Sequence, residues 1–306
     1  MDINLELYKV FYYVATTLSF SEASRQLFLS QSAVSQSIKQ LEHKLGHSLF
    51  VRSTKKVQLT PEGEILLQHV KPAIRMLSDG EDLLANSISP MEQIRIAASD
   101  TICRYFLIDY FKRFHKEHPE IRIKIINSTS IGCMELLDNG QADLAVCNAP
   151  NTRLRSYMRI KKILDFEDIF IASQDFFGED PIPETLEELQ KYPLLMLTSK
   201  SVTFDFLQQT FAAHGLKLLP EVELNSNDLL LDLAKIGLGI ACVPDYMLRN
   251  QMQTSHSQAI LSQHSPGTSD LIQIPLKTPL QKRQLVMVSH GGLPLSSSAI
   301  KFSQYF

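Results

Sequence analysis

Two rhythms of apolar and polar positions divide the chain. Over the first ninety residues apolar side chains recur at helical spacing. Leu7, Val10, Phe11 and Val14 predict a first helix. Ser19 reads as an N-cap with Glu22 three residues on, a capping box that opens a second helix carrying Ala23 and Leu27 inward. Leu29 and Ser30 form a break, and Ser30 caps the next helix. Val34, Ile38, Leu41 and Leu45 then mark one face of that helix, and Gly46 ends it. A short hairpin is expected next, with Val51 and Arg52, a turn over 53–56, and 57–59 as the return strand. Thr60 caps a long helix from Pro61 to about Ser87. Its apolar positions Leu66, Val70, Ala73, Leu77, Gly80 and Leu84 alternate at spacings of 4 and 3, a coiled-coil seam that suggests a partner helix from another chain, with packing inside its own chain as the bland alternative. Pro72 lies inside it, and an internal proline costs about 3 kcal/mol, so a kink is expected there.

From residue 94 the rhythm changes to alternating strands and helices. Strands are expected at 94–98, 121–126, 144–147, 168–173, 194–197, 221–224, 240–243 and 284–289. Helices are expected at 102–115, 131–139, 185–189, 203–214, 228–236 and 297–305. Alternation of this kind implies parallel sheets with helices on their faces, here as two α/β subdomains in series. The last strand could cross back to the first subdomain. The polar stretch 251–270 reads as a surface loop.

The face of the 31–45 helix opposite its apolar stripe is informative. Ser32, Gln36, Lys39 and His43 point outward, with Ser35 on the flank, and none is acidic. Short hydroxyls, an amide and a lysine suit base edges and phosphates. Together with the hairpin they read as a winged helix-turn-helix. The bland alternative is an ordinary solvated face, and the basic hairpin that follows weighs against it.

At these positions the chain resembles the LysR-type transcriptional regulators. The resemblance rests on Phe11, Val14 and Ala15, the run Ser19–Ala23, Leu27, the run Ser30–Ser35, Ile38, Leu41–Glu42, Leu45–Gly46, Leu49–Arg52 and Leu59–Gly63. The family usually carries Pro where Ser32 stands and a small residue, often Gly, where Leu18 stands. Farther on, Ile94–Ser99, His118–Pro119, Gly140–Val146 and Gly237–Ala241 resemble the same family's effector domain, itself similar to periplasmic binding proteins. The fold class this implies is an α+β multi-domain protein. It comprises a winged helix-turn-helix at 1–60, a linker and dimerisation helix at 61–89, and a two-lobed α/β effector domain at 90–306. Lobe I is expected at about 90–162 plus 290–306, and lobe II at about 163–289. The implied DNA-contacting residues are Ser21, Arg25, Gln31, Ser32, Ser35, Gln36, Lys39, Arg52, Lys55 and Lys56. The implied partners are double-stranded DNA bearing an inverted-repeat operator, a small-molecule effector, and a second copy of the chain in a homodimer or homotetramer.

Ligands of open α/β sheets bind at the carboxyl ends of strands, beside helix N-termini. In this sequence those junctions are polar: Ser99-Asp100-Thr101, Asn127-Ser128-Thr129-Ser130, Asn148, Ser199 to Thr203, and Asn225-Ser226-Asn227. Ser99, Asp100, Thr101, Thr129, Ser130, Asn148, Ser201, Thr203 and Ser226 are therefore the candidate effector contacts, and they suit a small anion. The bland alternative is that each junction simply caps its helix. Where relatives of this kind often place an Arg after the Ser-x-Thr turn, Phe204 stands here; Lys200 or Arg104 could substitute.

Composition adds exclusions. Net charge is −3, but residues 1–60 hold seven Lys and Arg against four acids, a net of +3, so the remainder carries −6. A basic head on an acidic body suits one nucleic-acid surface. Four scattered cysteines, Cys103, Cys133, Cys147 and Cys242, form no CxxC pair and argue against zinc or a disulfide framework. No cofactor is expected. The absence of a long apolar run and of a leader pattern implies a cytoplasmic protein with no membrane partner. An enzyme on the two-lobed domain would need an acid–base constellation, and a solute-binding module would need a signal peptide; the sequence offers neither.

Overall fold

The computed structural model describes residues 3–52, 57–85, 92–248 and 271–306. The chain forms two compact units that divide near residue 90.

The first unit begins with three helices, α1 (Leu5–Thr17), α2 (Phe20–Gln26) and α3 (Gln31–Leu45). Side chains start each: Asn4 accepts from Glu6 N, Ser19 from Glu22 N and Ser30 from Ala33 N. Val34, Ile38 and Leu41 are fully buried against Phe11, Val14 and Ala23. Gly46 ends α3 at φ 73°, a left-handed conformation that glycine adopts without cost. Leu18 and Phe28, in the two helix connections, hold the same conformation at φ 49° and 55° although neither is glycine. Strands β1 (Phe50–Arg52) and β2 (Val57–Leu59) pair antiparallel, with Phe50 opposite Leu59. Phe50 packs its ring 5.6 Å from Phe11 and 5.9 Å from Phe20, which anchors the hairpin to the helices. Glu42 fixes it from the other side, since its Oε1 accepts from Leu49 N (2.8 Å) and Phe50 N (3.3 Å).

Helix α4 (Pro61–Ala85) follows without a break at Pro72. A Cβ at Gly63 would come within 2.2 Å of the Leu49 carbonyl oxygen, so only glycine lets the helix start so close to the hairpin. The seam expected along α4 is split. Leu66 and Val70 pack with Leu67 and Ile74 against the helical core of their own chain, whereas Leu77 is 57% exposed. The proximal half of α4 thus has an intramolecular partner that the repeat alone did not reveal.

The second unit holds two five-stranded sheets. The first is built from β3 (Gln93–Ala98), β4 (Arg122–Asn127), β5 (Leu144–Ala149), β6 (Met158–Phe166) and β12 (Arg283–His290), in the order β4-β3-β5-β12-β6. The second is built from β7 (Asp168–Ser173), β8 (Leu194–Leu197), β9 (Val222–Leu224), β10 (Ile240–Pro244) and β11 (Leu271–Gln273), in the order β11-β7-β10-β8-β9. In each sheet four strands run the same way and one runs against them, β12 in the first and β7 in the second. The helices are α5 (Asp100–Ile102), continued through a π-helical turn over Cys103–Leu107 into α6 (Ile108–Glu117), then α7 (Ser130–Asp138), α8 (Leu186–Leu189), α9 (Val202–Ala213), α10 (Asn227–Lys235) and α11 (Ser297–Ser303).

The expected lobe limits need correction. β12 lies in the first sheet, between β5 and β6, and β6 runs to Phe166, so neither 163 nor 289 divides the lobes. β6 itself was not expected. Its outward positions Arg159, Lys161 and Lys162 blur the alternation, and a register shift between Leu285 and Val286 interrupts its pairing. The lobes share one apolar cluster, in which Ile94, Ile96 and Leu107 from lobe I meet Ile171, Leu195 and Leu231 from lobe II. The expected 251–270 loop lies outside the described residues.

Candidate nucleic-acid interface and effector cleft

In the first unit α3 displays what its periodicity promises. Gln31, Ser32, Gln36 and Lys39 are exposed and Ser35 is half-buried on the flank. Ser32 Oγ lies 2.9 Å from Ser30 Oγ, so its hydroxyl is shared with the cap beneath it. On α2, Ser21 is exposed, and Arg25 is exposed but ion-paired to Glu22 at 2.7 Å. Arg52 begins the hairpin turn as the last residue of β1; its side chain, like Lys55 and Lys56, lies outside the described residues. The arrangement is a helix with short polar groups and a lysine aimed at solvent, flanked by an antiparallel wing. Such a helix fits the major groove.

In the second unit all nine candidate effector residues line one cavity of about 280 Å³ between the lobes. Lobe I contributes Ser99, Asp100, Thr101, Thr129, Ser130 and Asn148; lobe II contributes Ser201, Thr203 and Ser226. Parallel strands bring them there: β3, β4, β5, β8 and β9 all deliver their carboxyl ends to the same side. Four of the junction hydroxyls also cap a helix. Ser99 Oγ accepts from Ile102 N, Thr129 Oγ1 from Gly132 N (3.1 Å), Ser201 Oγ from Phe204 N (3.0 Å) and Ser226 Oγ from Leu229 N (3.2 Å). Capping and lining are therefore both true of the same hydroxyls. Among the described residues no Lys or Arg lines the cavity and one acid, Asp100, does; the groups there that favour an anion are the helix N-termini.

Lys200 and Arg104 do not line the cleft. Arg104 pairs across the lobes with Asp228 at 3.2 Å, where the Tyr105 hydroxyl also donates at 2.5 Å. Asn227 Nδ2 donates to Thr101 Oγ1 at 3.0 Å and makes a third link between the lobes. Phe204 is buried in the lobe II core and is not part of the cavity wall.

Two features escaped the sequence. Tyr246, just past the end of β10, lines the cleft and is only 3% exposed. The strand-end rule that found the other junctions applies to β10 as well, and was the available signal. The second is Arg283, at the start of β12. Its NH1 donates to Asp168 Oδ2 at 2.6 Å and to Thr203 Oγ1 at 3.0 Å, and both charged side chains are wholly buried. Burial pushes the Asp168 carboxyl up, and the guanidinium opposes that shift.

Cys133, Cys147 and Cys242 are buried and Cys103 is half-buried. Burial raises the Cys103 thiol to about 11, with Asp100 adding to the effect. Among the described residues no cluster of His, Cys, Asp and Glu could hold a metal ion, and no helix is long and apolar enough to cross a membrane.

Comparison with known proteins decides what this pairing of units is. Residues 5–64 match the model of the bacterial regulatory helix-turn-helix proteins of the lysR family, and residues 88–306 match the LysR substrate binding domain. The chain belongs to the LysR family of transcriptional regulators. It is similar to the transcriptional regulator CrgA of Neisseria meningitidis serogroup C, 27% identical over 82% of this chain and 83% of that protein. It is similar to the activator CmpR of Synechocystis, 29% identical over 81% of each. Among solved structures, a point mutant of full-length BenM shares the fold with a TM-score of 0.55 at 19% identity, covering 99% of this chain and 94% of that one. Full-length AphB of Vibrio cholerae does so with 0.54 at 20%, covering 99% of each. The family member described here is thus a DNA-binding transcriptional regulator with a small-molecule effector domain, and not an enzyme. Regulators of this family bind DNA through the helix-turn-helix, respond to small molecules and form oligomers.

Proposed function

We propose that this regulator recognises an inverted-repeat operator as a homodimer or a tetramer built from dimers. The outward face of α3 and the wing residues Arg52, Lys55 and Lys56 contact the DNA, while Ser21 and Arg25 position α2 on the backbone. The protein works in the cytoplasm. Residues 1–60 read DNA, 61–89 hold the oligomer through the exposed part of α4, and 90–306 carry the effector site. Leu77, 57% exposed on a helix whose seam residues Leu66 and Val70 are already covered, supports that role for α4.

The effector is a small anion held in the cleft by Ser99, Asp100, Thr101, Thr129, Ser130, Asn148, Ser201, Thr203 and Ser226. One observation carries this reading. The N-termini of α7, α9, α10 and the continuous helix that α5 opens meet in a cavity of about 280 Å³ lined mainly by hydroxyls and amides, with Asp100 as its one acid among the described residues. Oriented N–H groups favour negative charge without a cationic side chain. A ligand that touches both lobes favours one arrangement of them, because only differential contact with two states shifts their balance.

The test is a thermal-shift screen of small carboxylates, sulfate, phosphate and matched neutral analogues on the full chain. Anions are expected to raise the melting temperature and neutral analogues are not. Stabilisation by neutral compounds alone would remove the anion reading.

A further inference from the structure

The residue that singles out Thr203 among the cleft hydroxyls comes from 80 positions away. Arg283 opens β12, and its guanidinium is held through NH1 and between two aromatic rings. NH1 has two hydrogens, and each is committed: one to Asp168 Oδ2 at 2.6 Å, the other to Thr203 Oγ1 at 3.0 Å. The guanidinium carbon lies 5.4 Å from the Phe166 ring centre and 4.9 Å from that of Phe206, so two aromatic faces set its position. Phe206 stands one helical turn beyond Thr203 on α9. The side chains of Arg283 and Asp168 are 0% exposed.

The consequence for Thr203 is chemical. A threonine hydroxyl is one donor and two acceptor sites. With a charged donor bound to its oxygen, the hydroxyl keeps its own proton for another acceptor. Hydrogen bonds in a chain polarise one another, more so where water is excluded. Thr203 is 6% exposed and lines the cleft at the first turn of α9. Its proton is thus free for a ligand's acceptor, sharpened by a guanidinium that never touches that ligand.

We propose that Arg283 is a positioning residue that sets the charge preference of the cleft, by orienting and polarising the Thr203 hydroxyl as a donor toward an oxyanion or carboxylate. The proposal rests on the anionic reading of the cleft given above. It also explains how an anion site can lack a basic residue in its lining: the guanidinium sits one hydrogen bond behind the wall. A ligand presenting an ammonium to this wall finds one of the two acceptor sites of Thr203 Oγ1 taken by Arg283, with the guanidinium's charge behind it. Because β12 belongs to the lobe I sheet and α9 to lobe II, the same bond ties the lobe II wall of the cleft to a lobe I strand.

The experiment titrates the full chain calorimetrically with sodium sulfate and with dimethyl sulfone, a neutral tetrahedral analogue, at fixed ionic strength. Thr203→Ser keeps the hydroxyl and is expected to bind sulfate within about threefold of the parent, whereas Thr203→Val loses about tenfold or more. The decisive background is Arg283→Met with Asp168→Leu. Replacing a whole buried ion pair by apolar residues is often neutral for stability. There the preference for sulfate over dimethyl sulfone is expected to shrink, and Thr203→Val to cost less than about twofold, the non-additivity of coupled residues. Should that double variant fail to fold, Arg283→Gln with Asp168→Asn removes the charge and keeps the hydrogen-bonding capacity, with the same expectation. An equal cost of Thr203→Val with and without the pair, or an unchanged preference, overturns the proposal. Thr129→Val, on the opposite wall, separates the two readings: it is expected to weaken sulfate in every background. If it does so while the Arg283 cycle is additive, only the proposal fails. A parent that does not bind sulfate takes down the anionic cleft, and the proposal with it.

Discussion

The DNA-binding head and the effector domain recognise their targets with opposite surfaces. The head displays its polar groups on one continuous helix face, exposed and with a lysine, over an apolar core. The cleft collects hydroxyls and amides, with the Asp100 carboxylate, from strand ends scattered between Ser99 and Tyr246, and the Arg283 guanidinium is buried behind Thr203. The difference follows from the targets. A polyanion is met by solvated charges whose counterions are released on binding. A small molecule is met by dipoles already fixed in place, which lose little entropy when it arrives.

The sharpest contrast is the buried charge, which the head lacks among its described residues. Arg283→Ala strands Asp168 in the interior and is expected to destabilise the effector domain by about 3–5 kcal/mol, with the head's own unfolding unchanged. Chemical denaturation followed separately in the two units checks this. A loss under about 1 kcal/mol would show that the pair contributes little beyond its orientation of Thr203.

Next in size is the seam on α4. Leu77 is exposed in the single chain, so Leu77→Glu leaves the fold intact. If α4 holds two heads together, the variant is monomeric in sedimentation runs and loses about a hundredfold or more in operator affinity, since linked half-site binding is lost. A dimeric variant with normal affinity would move the interface elsewhere.

Smaller effects belong to α3 itself. Gln36→Ala is expected to cost about 1–3 kcal/mol at the operator and to relax base preference at one position. Lys39→Ala should weaken all sequences alike and reduce the log–log salt slope by about one unit per lost phosphate contact. Competition binding at several salt concentrations tells these apart; identical behaviour of the two variants would deny α3 its division between base and backbone.

The smallest effect lies in the turn before α2. Leu18 sits at φ 49°, where a side chain costs about 1–2 kcal/mol and glycine does not. Leu18→Gly should therefore stabilise the head by up to about 1 kcal/mol after glycine's greater freedom in the unfolded chain is subtracted. A lower melting temperature for the head would contradict the strain assigned to this turn.

What could be read from the sequence tracks how local the cause is. The α3 face, the caps at Ser19 and Ser30, and the polar strand ends depend on neighbours a few residues apart, and periodicity reports them directly. That the last strand could cross back to the first subdomain was legible, but its place between β5 and β6 depends on pairing far back in the chain, which no local pattern encodes. Arg283 was invisible for the same reason: an arginine was sought beside Thr203 in sequence, at Phe204, and it arrives from another strand. Half of the α4 seam was assigned outward because a repeat states which face is apolar, but not what covers it.

The placement of β12 between β5 and β6 also has a bearing on how the chain can fold. β5 and β6 are close in sequence yet cannot take their places in the sheet until a strand more than a hundred residues later slides between them. While the chain is being made, lobe I is left with two unpaired strand edges facing a gap. Contacts of such long sequence separation form slowly, and open edges invite pairing with other chains. A ribosome pausing before Arg283 would leave the first lobe as an open sheet, and any fragment ending there is expected to collect in inclusion bodies, however complete its DNA-binding head.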